Sequence, residues 1–423
     1  MREIKPLIIV KARHSIISGG YYRTYEILRN GKAEGINYLV ATDALSYQNY
    51  AKMFQDFEEI VKKYKVYFID NFAKTNNCKS SLLRSIKLFQ NLLSRASSIY
   101  EIARKENPDI IIGPSENLAK TTYLSGKLCR KPWTINFTGT NELLQPEIGL
   151  VPVTLLNIFK HIKKKSIKDI PFKFKIGYAL DLMSLLKVAE GSLILTVSPS
   201  VKVEITQLNP KIEFHVITPG NGVDLEKIPK NEVYDAKYDG IFFSRIISEK
   251  GIFDLLKIWK YVVKKFPRAK LAIVGPSEDP MILNRVCKII HSYGIANNVA
   301  YLGAQSRASL IDLIMSSKLM IYPTRLDSFS LAILESLACG RPVVTYNILA
   351  TKYNFFKCKA VLRCPVGNIK TMADEIMLLL GNEDLRMRLS KEAREFAKDF
   401  DWKNVVRAEK EAYFKVIEWF CSH

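Results

Sequence analysis

The stretch from Leu319 to Thr345 restricts the fold more than any other part of the chain. Leu319-Met320-Ile321-Tyr322 is a buried-looking strand that stops at Pro323. The small-residue turn Asp327-Ser328-Phe329-Ser330 leads into a helix carrying Glu335, and Gly340 and Pro342 precede the apolar run Val343-Val344. The order is strand, loop, helix, strand. A helix N-terminus beyond the C-terminal end of a strand is where α/β proteins bind phosphate. With the helix starting near Ser328, Glu335 is seven residues on, nearly on the same face and about 10 Å further along the axis. Its side chain leans back toward the N-terminus. One ligand could touch both the amides and the carboxylate, and a carboxylate there suits ribose hydroxyls. For Asp327 the structural alternative is plain N-capping; for Glu335 it is an exposed helix position. The apolar neighbours Leu331, Ile333, Leu334, Leu337 and Ala338 weigh against a solvated face.

The same alternation runs through the whole chain and implies parallel sheets with helices on both faces. Strands are predicted at Pro6–Val10, Tyr38–Ala41, Val66–Ile69, Asp109–Ile112, Trp133–Phe137, Ile194–Val197 and Phe214–Thr218, with helices such as Tyr21–Leu28 and Leu82–Lys105 between them. The Pro-, Gly- and Asn-rich segment Thr218 to Asp224, followed by a polar stretch to Gly240, marks a domain boundary. A second α/β pattern starts at Ile241-Phe242-Phe243. Its first helix carries the stripe Ile252, Leu255, Leu256, Trp259, Val263 and Phe266, and strands follow at Leu271–Val274, Val299–Leu302, Leu319–Tyr322 and Val343–Thr345. Two such domains side by side would leave a cleft between carboxyl edges, the usual ligand site.

A length of 423 residues allows two or three domains, and 48% hydrophobic with 25% charged residues is a globular composition. Seven scattered cysteines without a CxxC pair point to a reducing compartment and no structural zinc. The N-terminal MREIKPLIIVKARHS reads as a first strand rather than a signal peptide, and no stretch approaches the roughly 20 apolar residues that span a bilayer. A cytoplasmic or peripheral location is expected. The net charge of +21 is spread over both halves, whereas a nucleic-acid-binding protein would more often concentrate it. The one local cluster, Lys160 to Lys175, follows the apolar run Gly149 to Phe159 and interleaves lysines with Ile162, Ile167, Ile170, Phe172 and Phe174. It reads either as a surface for anionic membranes or as a solvated basic loop after a core helix.

Two further groups bear on chemistry. Arg245 and Lys250, in SRIISEKG, follow the strand at Ile241 and could clamp a diphosphate. The alternative is a solvated turn with Glu249 paired to a neighbour. Ser18-Gly19-Gly20, with Arg23 after it, follows the first strand and lets a backbone approach a ligand or another domain, or is a simple strand-to-helix turn.

These residues, in this order, resemble the GT-B glycosyltransferases, specifically the retaining glycosyltransferase family 4. RIISEKG looks like that family's basic pair, KLAIVG and YLGAQS like its nucleobase-side loops, DSFSLAILE like its acid-x7-Glu motif with ACGRPVV as the sequel, TPGNGVD like its interdomain segment, and REFAKDFDW like the start of its C-terminal helices. The resemblance implies two Rossmann-like parallel-sheet domains facing each other across a cleft, with a C-terminal helix crossing back. Residues 1–225 would form the acceptor-side domain, 226–400 the nucleotide-sugar domain and 401–423 the crossover helix. It implies transfer of a sugar from a UDP- or GDP-sugar to a glycan or lipid-linked acceptor, with retention and without a metal or other cofactor. Arg245 and Lys250 would hold the diphosphate and Asp327 would lie by the transferred sugar. Glu335 would hold the ribose, with Ser328, Phe329, Ser330 and Leu331 at the helix start and Gly275 and Gly303 on the nucleobase side. Gly19, Gly20, His14 and Thr138 would lie on the acceptor side. The sequence departs from the family in having Asp327 where Glu is common and Ser328 and Ser330 where Gly is common. Thr138 stands where many members place a histidine, which none of His14, His161, His215, His291 and His423 replaces in sequence. A nucleotide-sugar epimerase of the same fold and a basic nucleic-acid-binding protein are the rival readings.

Overall fold

The computed structural model describes residues 2–12, 19–69, 81–138, 183–229, 236–277 and 279–423. The chain forms two compact units, one of Met1–Asn221 with Trp402–His423 and one of Gly222–Asp401. His14 and the cluster Lys160 to Lys175 lie outside the described residues.

The first unit holds a seven-stranded parallel sheet. Its strands are β1 (Pro6–Val10), β2 (Leu39–Thr42), β3 (Lys65–Phe68), β4 (Ile110–Gly113), β5 (Trp133–Phe137), β6 (Ile194–Thr196) and β7 (Phe214–Val216). They are ordered β3-β2-β1-β4-β5-β6-β7. The central strands are near-continuous apolar runs because both faces are covered. Ile8 and Val10 pack with Leu28, Val406 and Tyr413 on one side. Leu7 and Ile9 pack with Ile99, Ile102 and Trp133 on the other. Order reverses between β1 and β4, so the loops after these two strands leave the sheet at its switch point.

The second unit repeats the design with six strands: β8 (Gly240–Phe243), β9 (Leu271–Val274), β10 (Val299–Tyr301), β11 (Met320–Tyr322), β12 (Val343–Tyr346) and β13 (Val361–Cys364). The order is β10-β9-β8-β11-β12-β13, and every pairing is parallel. Its switch point lies between β8 and β11. Most expected strands recur within a residue or two. Strand β13 was not expected, since Val361-Leu362-Arg363-Cys364 has too short an apolar run to stand out.

The last helix, Trp402–Ser422, belongs to the first unit, although the chain reaches it from the second. A buried polar network fixes it there. The Arg23 guanidinium donates from Nε to the Gly220 carbonyl at 2.8 Å and pairs with Glu409. Tyr413 donates to the other Glu409 oxygen at 2.9 Å, and its hydroxyl meets that of Tyr38 at 3.2 Å. Both charges of the pair are almost wholly buried, so removing one strands the other in a low-dielectric interior. Glu409→Ala is therefore expected to cost about 3–5 kcal/mol, read as a lowered urea midpoint with an unchanged slope for the unit that contains it.

Candidate functional site

At the switch point of the second sheet, the loop after β8 meets the loop after β11. Arg245 to Gly251 leaves β8 and turns back at Gly251, whose φ of +79° is left-handed. A Cβ at Gly251 would lie 1.9 Å from the Pro323 carbonyl oxygen, so the two backbones touch in a way that excludes any side chain. Glu249 joins this seam through its backbone: its carbonyl accepts from the Arg325 amide at 2.9 Å. That contact takes the place of the expected side-chain pairing.

The seam delivers Lys250 to Asp327. The ammonium donates to Asp327 Oδ2 at 2.9 Å and to the Leu326 carbonyl at 3.0 Å. Tyr322, at the end of β11, donates its hydroxyl to the same Oδ2 at 2.8 Å. Asp327 Oδ1 accepts from the amides of Ser328 at 2.9 Å and Ser330 at 3.2 Å. Each ionic state is held by its neighbours. Burial alone would raise the Asp327 carboxyl, but the Lys250 ammonium and the hydrogen bonds from Lys250, Tyr322 and Ser330 bring it below its ordinary value. Burial opposes the charge on Lys250, and Asp327 with Tyr322 outweighs it, so the ammonium titrates above its ordinary value. The Tyr322 phenol is pushed up to about 12, first by burial and then by the Asp327 carboxylate.

The helix expected from Ser328 begins instead at Leu331 and runs to Ala338. The cause is Ser330, which takes φ +71°, a left-handed conformation that a helix cannot contain. Asp327 consequently is no N-cap, and Glu335 stands just over one turn into the helix rather than two. The Ser330 hydroxyl is buried without a hydrogen-bond partner. Asn354 Nδ2 donates to the Ser328 carbonyl at 3.0 Å and braces the loop from outside. Phe329 turns its ring into the core, 5.8 Å from Phe355 and 6.2 Å from Phe400, so only its backbone faces the turn. Leu331 is half-buried at the first helical position.

Glu335 is mostly buried and pairs through Oε1 with Arg307, the first residue of the neighbouring helix Arg307–Met315. Gly275 and Gly303 meet directly, the Gly275 amide donating to the Gly303 carbonyl at 2.8 Å. Both have positive φ. Gly275 lies so close to the Ser244 carbonyl that a Cβ would sit 1.8 Å from it, while Gly303 faces open space. Arg245 is exposed; its carbonyl accepts from the Ile247 amide at 3.0 Å, and its side chain makes no hydrogen bond or ion pair among the described residues. The site thus combines an exposed cation, a buried lysine–aspartate pair, the start of one helix and a carboxylate on that helix. Such an arrangement suits an anionic ligand with hydroxyls beyond it.

Residues 224–396 match the profile of the family described as glycosyl transferases group 1. The matched residues lie within the second unit. A glycosyltransferase of Haemophilus influenzae whose function is uncharacterised is 26% identical over 194 residues, covering 42% of this chain and 52% of its own. The chain spans about half the length of the curated relatives it matches first. Among solved structures, sucrose-phosphate synthase from Thermosynechococcus elongatus superposes with a TM-score of 0.70 at 15% identity, covering 99% of this chain and 100% of that one. HepE from Anabaena, solved with UDP-glucose, gives 0.68 at 14% identity, covering 98% and 100%. The fold is therefore GT-B, with two Rossmann-like parallel sheets.

Outside the group 1 unit, the first unit gathers three loops near its own switch point. Gly20 opens the helix Gly19–Gly31 after β1, and a Cβ on it would lie 4.0 Å from Thr138 Oγ1, just beyond β5. Glu116, in the loop after β4, accepts from the Thr138 amide at 3.3 Å and from its hydroxyl at 3.4 Å. Glu116, Tyr322 and Arg307 escaped the sequence reading. Each stands alone between apolar or polar neighbours without a motif, and its partner lies far off in sequence. Among the described residues, no group of three or more His, Cys, Asp or Glu could hold a metal ion, and no helix is long and apolar enough to cross a membrane.

The sign of the pH dependence follows from the Lys250–Asp327 pair. A carboxyl held below its ordinary 3.8 adds stability above that value and loses it as pH falls through the folded value. An ammonium held above its ordinary 10.5 adds stability below that value and loses it as pH rises through the folded value. The pair's contribution is expected to be full between these limits and to decline on both sides. In pH-dependent unfolding, Asp327→Asn should flatten the acid limb relative to wild type.

Proposed function

We propose that the chain is a retaining glycosyltransferase that moves a sugar from a UDP- or GDP-sugar to a glycan or lipid-linked acceptor without a metal. The observation that carries the reading is the hydrogen-bond inventory of Lys250. An ammonium has three N–H donors. Two go to Asp327 and Leu326, and this reading gives the third to the donor, beside the turn that opens the helix Leu331–Ala338. Arg245, exposed after the neighbouring strand, adds a second cation.

In this reading the bond from the anomeric carbon to the diphosphate oxygen breaks, and its electron pair leaves with the diphosphate. The charge that grows there is met by Arg245, by the third Lys250 N–H and by the amides at the helix start, fixed in place before the reaction. Asp327 has every oxygen engaged by Lys250, Tyr322 or the loop amides. Its part is to hold the lysine and the turn beside the sugar. Glu335 takes the ribose hydroxyls, and Gly275 and Gly303 leave backbone surface for the base. The acceptor hydroxyl oxygen then bonds to the anomeric carbon on the same face, and its proton passes to the departing diphosphate oxygen.

The UDP-glucose bound to HepE supports a nucleotide-sugar donor, as does the group 1 match. A lipid-linked acceptor and a peripheral place on the inner face of a membrane rest on the basic cluster of the sequence, Lys160 to Lys175. No observation favours the epimerase or the nucleic-acid reading. Lys250→Ala and Glu335→Ala are each expected to weaken donor binding or turnover at least about tenfold, or ~1.4 kcal/mol. Calorimetric titration with UDP and GDP, alongside a panel of nucleotide sugars, checks this. Wild-type behaviour in both variants would remove the assignment.

A further inference from the structure

We propose that Arg307 is a positioning residue that makes Glu335 select ribose over 2′-deoxyribose; the inference rests on the donor-site reading above. Arg307 and Glu335 are 28 residues apart, on separate helices, and meet through Arg307 Nη1 and Glu335 Oε1. The second oxygen, Oε2, has no hydrogen-bond partner among the described residues. A carboxylate anchored through one oxygen keeps its other oxygen unengaged and in a fixed place.

The placement of Arg307 is not explained by its own helix. It is the first residue of Arg307–Met315, where the helix presents the positive end of its dipole and favours acidic side chains over cations. The N-cap role is already filled by Ser306, whose Oγ accepts from the Ser309 amide at 3.2 Å. Its ion pair with the Glu335 carboxylate joins the two helices. The pair is also asymmetric. The Glu335 side chain is 12% exposed and that of Arg307 36%, so the glutamate is set in the wall while the arginine reaches it from the open side. Arg307 follows the segment that begins at Gly303, which faces open space. The carboxylate and its anchor therefore border the surface that would receive a nucleoside.

The chemistry is that of a diol against one oxygen. Ribose offers neighbouring 2′ and 3′ hydroxyl donors. An oriented carboxylate oxygen takes a charge-assisted hydrogen bond from the hydroxyl it faces. Freed from Arg307, the carboxylate can turn to whichever hydroxyl remains, and a deoxyribose then suffers little. A site built to hydrogen-bond a hydroxyl rejects the analogue lacking it, provided its polar group cannot find another partner.

The test titrates the full chain with UDP, GDP, their 2′-deoxy counterparts and inorganic pyrophosphate. Wild type is expected to prefer the ribonucleotide by about tenfold, or ~1.4 kcal/mol. Arg307→Ala should bring that preference below about threefold while leaving pyrophosphate affinity unchanged, and Arg307→Lys should restore part of it. Arg307→Gln serves as a second neutral variant, and thermal melting establishes that each variant is folded. The proposal is overturned if wild type binds a nucleotide without preferring ribose, if Arg307→Ala keeps the full preference, or if it binds the ribonucleotide more tightly, since Arg307 would then be competing for the carboxylate. Should wild type bind neither UDP nor GDP, it is the donor-site reading that falls, a result distinct from all of these.

Discussion

The contact between Lys250 and Asp327 holds the site together. The two residues are 77 positions apart, and neither would be tolerated in so enclosed a place without the other. Their loops leave β8 and β11, adjacent strands with no sequence between them in common, because the order of the sheet reverses there. A doubly wound sheet opens a gap at such a reversal, as successive crossover helices pass to opposite sides. The ion pair closes the base of that gap. Gly251 makes the closure possible by allowing backbone to lie on backbone at Pro323, and Tyr322 and two amides saturate the carboxylate from the other side. The lysine is thereby held against the loop by Asp327 and the Leu326 carbonyl.

Ser330 shows what this closure costs. A non-glycine residue at φ +71° carries strain of about 1–3 kcal/mol, and its buried hydroxyl has no partner. Such a conformation persists only where its surroundings over-determine it. Here they do: Asp327 Oδ1 holds the Ser330 amide, Asn354 holds the Ser328 carbonyl, and the Phe329 ring is locked among Phe355 and Phe400. The turn is rigid because three unrelated interactions agree on it. The helix loses its first three expected residues as a result, and Glu335 comes closer to the helix start than residue counting indicates.

The sheets were legible because parallel strands covered on both faces must be apolar throughout, and short runs such as Leu271–Val274 and Trp133–Phe137 carry that mark without help from their neighbours. The strand β3 is the instructive exception. Its residues are partly or fully exposed, edge strands need less apolar character, and its boundaries differ by a residue from those the pattern suggests. In the site, Asp327, Glu335 and Lys250 could be read because they sit at fixed offsets from strand ends. Tyr322 could not, since a tyrosine closing an apolar strand looks like any other core aromatic until its hydroxyl finds a carboxylate. Arg307 was hidden for a related reason: a surface-like arginine after a polar loop becomes meaningful only when the helix carrying Glu335 packs beside it. Backbone conformation at Ser330 left no trace at all, because serine is an ordinary residue at a helix start and only the geometry of the loop makes it left-handed.

The first unit uses the same architectural opening with different chemistry. Its order also reverses next to the first strand, and the loops after β1, β4 and β5 come together there in Gly20, Glu116 and Thr138. Glu116 accepts from a backbone amide of the adjoining loop, whereas Asp327 accepts from amides of its own turn. The two sheets therefore share a way of bringing distant loops into register while differing in what they place at the junction: a lysine–aspartate pair in one, a carboxylate beside a threonine hydroxyl and a glycine in the other. The shared reversal of strand order fixes where such groups gather, and the residues at the ends of a few strands decide which groups those are.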